Sequence, residues 1–251
     1  MIENKMKNEQ NQTKGKLKTV GIAGGLGPET GCKFCLDINN KFRELTGCQP
    51  DVMLENLPVP SKIERQMING KTPIRMLNLL LEAIKRLNMA KVDFIAIPCN
   101  SVHVFIEELR EKSEAPVLSI IEECAEECKK RNLNKVGLLA SAKTVNEKLF
   151  SEKLEKINID VIIPNKQDQA EINKIIIKII HNKAENSDKI FLKNIIKNLK
   201  QIGAEAIIIG CTDLPLLISE KESCLPLINT LEILENTVIK HLNGELKCKN
   251  K

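Results

Sequence analysis

The chain has 251 residues, 42% of them apolar and 28% charged, with a formal net charge of +5. That length buries one large core or two smaller ones, and a mild, dispersed charge with no Trp, no Tyr and six Phe excludes a base-stacking nucleic-acid surface. No apolar run reaches membrane-spanning length and the start is polar, so the expectation is a cytoplasmic protein with its nine Cys reduced and no paired C-x-x-C motifs for zinc.

Residues 1–17 are polar and aperiodic and read as a disordered tail. A strand over 18–23 runs into Gly24-Gly25-Leu26-Gly27-Pro28-Glu29-Thr30, a tight turn opening a helix with Phe34, Ile38 and Phe42 inward. Cys32 and Cys35 form a single C-x-x-C inside that helix. A second strand over 51–57 ends at Pro58 and Pro60, and residues 61–65 read as loop beyond them. A helix over 73–89 carries Leu77, Leu80, Leu81, Ile84 and Leu87 at helical spacing. Then comes an acid, an apolar run and a thiol: Asp93 to Ile97, Pro98 and Cys99, followed by Asn100 and Ser101. A helix is expected over 101–112, a short strand over 115–118, and a helix capped by Ser119 with Glu122. Cys124 and Cys128 fall on its apolar face.

The pattern then restarts. Residues 135–140 resemble 18–23, residues 158–164 answer the second strand, and Ile172, Ile175, Ile176, Ile179 and Ile180 mark a helix stripe. Another helix over 190–202 stops at Gly203. Glu205, an apolar run, Gly210 and Cys211 repeat the earlier design, followed by Thr212 and Asp213. A last strand over 225–228 and a helix from Thr230 to about residue 242 close the chain. Equivalent points lie about 112 to 116 residues apart, with Cys99 and Cys211 at the same place in each copy.

The fold class expected is α/β: two similar doubly wound parallel-sheet lobes related by a pseudo-two-fold, with the active site in the cleft between them. Residues 18–116 with 229–243 would form the first lobe and 117–228 the second. Ligands in such sheets bind at the carboxyl ends of the strands, where both Cys fall. Two thiols at two equivalent edges point to one site with a thiol on each side. The helix ends beside them offer N–H groups to an anion, and Asn100, Ser101 and Thr212 are candidate partners for a substrate carboxylate or ammonium. Each is also a plain helix cap. The glycine turn lacks G-x-G-x-x-G spacing, so no dinucleotide site is expected.

Four segments together resemble the cofactor-independent aspartate/glutamate racemase family: residues 21–30, Pro98-Cys99-Asn100-Ser101-Val102-His103, residues 136–140, and Gly210-Cys211-Thr212-Asp213-Leu214-Pro215-Leu216. The resemblance covers about residues 18–243 and is nearest the aspartate branch. Ser101 stands where the family usually has Thr, and Asp213 where it has Glu; the glutamate racemases usually carry His there. The resemblance implies an isomerase without PLP or other cofactor, acting on an acidic amino acid, most often aspartate. Cys99 and Cys211 would move the α-proton on opposite faces, and a helix N-terminus beside each thiol would favour the thiolate. It further implies a homodimer, and cations for the distal carboxylate: Arg65, or Lys62, after the second strand, and His181 or Lys183 in the second lobe. Asn56 would line the same pocket. Rival readings are another substrate on the same scaffold (glutamate, a broader range, a hydantoin, maleate), a non-catalytic binder of acidic amino acids, or a redox role for Cys32 and Cys35.

Overall fold

The computed structural model describes residues 18–243; the stretch 1–17, expected as a tail, lies outside the described residues. Strand β1 (Thr19–Gly24) feeds helix α1 (Pro28–Thr46), and β2 (Asp51–Asn56) pairs parallel beside β1. Two helices follow, α2 (Ser61–Ile68) and α3 (Ile74–Met89). The first is a correction: residues expected as loop form two turns of helix, because Pro60, extended at φ −66°, sits at the N-cap and lets helical geometry start at the next residue. Strand β3 (Phe94–Ala96) pairs with the other side of β1. A 3₁₀ turn (Ser101–Phe105) and α4 (Ile106–Lys112) lead to Val117, which makes only an isolated parallel bridge to Ile95 in place of the expected short strand.

Helix α5 (Ile120–Lys130) is capped by the Ser119 side chain, which accepts from the Glu122 N–H. The second sheet then builds: β4 (Lys135–Ala140), the short helices α6 (Ala142–Asn146) and α7 (Ser151–Glu155), β5 (Asp160–Ile162), α8 (Lys166–Ile180), α9 (Asn186–Gln201), β6 (Ala206–Gly210), β7 (Leu227–Asn229) and α10 (Thr230–Asn243). The strand orders are β2-β1-β3 and β5-β4-β6-β7, all pairs parallel. With Val117 beside β3, both sheets run second-first-third-fourth, which is the doubly wound pattern made twice.

The apolar periodicities place the core. Phe34, Ile38 and Phe42 of α1 are fully buried, as are Leu80 of α3 and Ile172 and Ile175 of α8. One apolar cluster runs through both sheets, joining Val20 and Ile22 of β1 to Leu138 of β4 and Ile208 of β6 through α1, α5 and α10. Each sheet keeps a further cluster on its other face, under α3 and under α8 and α9. The shared layer fixes the two sheets against each other, and so fixes the strand ends that carry the two thiols.

Candidate active site

Cys99 and Cys211 leave the ends of β3 and β6 and line one chamber of roughly 500 Å³ including its opening. Asn100, Ser101, Gly210, Thr212 and Asp213 line it with them. The thiols are close enough that charge on Cys99 raises the Cys211 thiol.

Around Cys99 the chain is pinned by local bonds. The Cys99 N–H donates to the Ile97 carbonyl at 2.8 Å, and Ser101 Oγ lies 3.5 Å from Sγ. The buried His103 sets the backbone: its Nε2 accepts from the Ile120 N–H, so its Nδ1 carries the proton and donates to the Cys99 carbonyl at 2.8 Å. Burial holds the imidazole pKa down at about 4, so it stays neutral. Asn100 is 2% exposed; its Nδ2 donates to Thr230 Oγ1, which donates on to the Ile209 carbonyl beneath the second thiol. The Asn100 Oδ1 has no partner. An orphan acceptor this deep costs free energy until a donor arrives, which suits an incoming ammonium.

Asp213 governs the other side. It is 6% exposed, accepts from Thr30 Oγ1 of α1 at 2.5 Å, and its Oδ2 lies 3.8 Å from Cys211 Sγ. Burial raises the Asp213 carboxyl above its usual range. The glycine turn makes the approach possible: Gly27 has φ 94°, and a Cβ there would stand 2.8 Å from Asp213 Oδ1. Thr30 escaped the sequence reading, since nothing local marks it as a partner of a residue so far along the chain.

Both thiols are pushed up, against the expectation from helix ends. Cys99 rises to about 11 through burial and the Asp213 charge, although Ser101 and nearby N–H groups pull it down. Cys211 rises well above the ordinary value through burial, then Asp213. The turns after both thiols are short 3₁₀ segments with little dipole to offset desolvation.

The expected cations stand elsewhere. Arg65, on α2, is exposed and its Nη2 lies 3.2 Å from Nε2 of His181, at the end of α8. Asn56 and His181 line an adjoining mouth with Ser61, while Lys183 and Lys62 are exposed and line neither space. The chamber wall is instead Leu26, Val59, Met67, Met76, Ile176 and Ile180, with Glu64 as its second carboxylate. Glu64, Ser141 and Thr144 also line it without having been expected to. Neither Cys32 nor Cys35, both on α1, lines the chamber, and burial with the neighbouring Cys32 raises the Cys35 thiol, which disfavours redox chemistry there.

This arrangement can be set beside known proteins. The Asp/Glu/Hydantoin racemase family model matches residues 24–237. The broad specificity amino-acid racemase RacX of Bacillus subtilis (strain 168) is 25% identical, over 88% of this chain and 96% of that protein. A glutamate racemase of Hydrogenobaculum sp. (strain Y04AAS1) is 31% identical over 62% of this chain and 59% of its own length. The solved structure of Picrophilus torridus aspartate racemase superposes with a TM-score of 0.74 at 28% identity, covering 90% of this chain and 94% of that one. With a family match over most of its length, and with both strand-end thiols inside the matched residues, the chain belongs to the Asp/Glu/Hydantoin racemase family.

Proposed function

We propose that this protein racemises an amino acid without PLP, using Cys99 and Cys211 as a pair of acid/base groups on opposite faces of the α-carbon. Its class, an amino-acid racemase and so an isomerase, follows from the family. The observation that carries the two-thiol reading is that both sulfurs, from equivalent ends of two sheets, line one chamber.

One thiol, as thiolate, takes the α-proton; the other, as thiol, gives its proton to the opposite face of the resulting carbanion. Both sulfurs end with exchanged protonation states, and the reverse direction uses them in exchanged roles. The unpartnered Asn100 Oδ1 suits the substrate ammonium. Ser101 and Thr212 hydroxyls and the adjacent N–H groups suit the α-carboxylate. Asp213, held by Thr30, stands beside Cys211, where it can accept a proton as that thiol ionises.

Because relatives include aspartate and glutamate racemases, aspartate and glutamate are the reference substrates, to be offered beside neutral and basic amino acids. Incubation in deuterated water without PLP, read by proton NMR at the α-position, tests the activity. Exchange of the α-proton with loss of optical purity is expected. No exchange across a panel of acidic, neutral and basic amino acids would defeat the reading.

A further inference from the structure

The chamber's charges run in one direction. Glu64 and Asp213 are its ionisable carboxylates, and no Lys or Arg is among the described residues that line it. Asp213 is already committed to Thr30. Glu64 is half-buried and has neither a hydrogen bond nor an ion pair from its side chain among the described residues. Burial, then the charges of Asp213 and Glu29, push its carboxyl upward; Arg65 opposes them most weakly, with its guanidinium against His181. Inside the chamber a substrate's distal carboxylate would add a third anion beside these two with no lining cation to answer it; Arg65 stands outside, against His181 at the mouth. A substrate with a distal ammonium would meet a carboxylate that lacks a partner.

Position agrees with charge. Glu64, Val59 and Ile180 line both the chamber and its adjoining mouth, so Glu64 marks the junction of the two. Val59 and Ile180 give that junction an apolar wall, which Met67 continues inside the chamber. Resting on the two-thiol racemase reading, we propose that the chamber takes an amino acid with a long basic side chain, such as lysine or ornithine, whose methylenes lie on the apolar wall and whose terminal ammonium pairs with Glu64.

The test compares α-proton exchange in deuterated water for L-lysine, L-ornithine, L-norleucine, L-aspartate and L-glutamate, with wild type and Glu64→Gln. Norleucine carries the lysine stem without the ammonium. Wild type is expected to show higher kcat/KM for lysine and ornithine than for the other three. Glu64→Gln is expected to lower the lysine value by about 10- to 100-fold and to erase its advantage over norleucine. Norleucine matching lysine, an acidic substrate preferred over lysine, or equal losses for lysine and norleucine in Glu64→Gln would each overturn the proposal; the last would put Glu64 on the common α-ammonium. If nothing exchanges, the racemase reading fails. Calorimetry on Cys99→Ser then judges the chamber alone: lysine binding that Glu64→Gln abolishes supports the assignment, and its absence overturns it.

Discussion

At Gly27 the backbone takes φ 94°, and the missing side chain leaves room for Asp213 Oδ1, which a Cβ would meet at 2.8 Å. Two costs therefore fall on Gly27→Ala: left-handed strain of about 1–2 kcal/mol, and displacement of the carboxylate beside Cys211. We expect lower thermal stability together with lower kcat, whereas Thr30→Val should lower kcat while leaving the backbone unstrained. Parallel melting curves and racemisation rates separate the two. The thiols carry a pH prediction. Because burial raises the free Cys99 thiol to about 11, its thiolate fraction grows throughout the neutral and mildly alkaline range, and Cys211, raised as well, remains a proton donor there. So kcat/KM should climb steadily from about pH 7 to 9; a flat profile would mean that another group is the base. Both Cys were legible because each ends the same acid–apolar–thiol phrase. Glu64 was not: it stands one residue from Arg65, which the family resemblance offered as a ligand, and only the helix shows which of the two lines the chamber.

At the scale of elements, the strands and long helices were readable because burial imposes their periods. Residues 135–140 form β4 as expected, and the Ile stripe forms the inner face of α8. What sequence hid were short helices with little periodicity to show, α2, α6 and α7 among them. The expected strand near Val117 shrank to one bridge, since Pro116 has no N–H to extend a ladder. His103 ties two elements together, the 3₁₀ turn after Cys99 and the start of α5, and it does so only when neutral. Its folded value of about 4 lies below the ordinary 6.5. The unfolded chain thus binds the extra proton first, and this contribution to stability, complete above the ordinary value, is lost as pH falls through that window toward the folded value. Urea midpoints followed by circular dichroism should fall over that range in wild type and fall less steeply in His103→Asn. Equal slopes would show that the imidazole does not hold the junction.

At the scale of the whole molecule, the internal repeat was visible in the spacing of the two thiols, but the layer joining the repeats was not. One apolar cluster links β1 with β4 and β6 through α1, α5 and α10, and α10 returns to pack on α1 and α5. The buried Lys143 adds a polar tie, donating to Thr72 and to Glu147. A chain built this way should unfold in urea as one transition, with far-ultraviolet circular dichroism as the probe because there is no Trp or Tyr. Two separated transitions would mean that the lobes stand independently. That rigidity matters to chemistry, because proton transfer from two sides needs sulfurs held at fixed places around one carbon.

The most direct measurement follows the first turnover of L-aspartate and of L-lysine in deuterated water, separating the enantiomers and reading hydrogen at the α-carbon of each. With two thiols at work, newly formed D-product carries solvent deuterium while the remaining L-substrate still carries hydrogen, and Cys99→Ser or Cys211→Ser each abolishes racemisation. Product that keeps the substrate's own hydrogen, or full racemisation by either single variant, would contradict it.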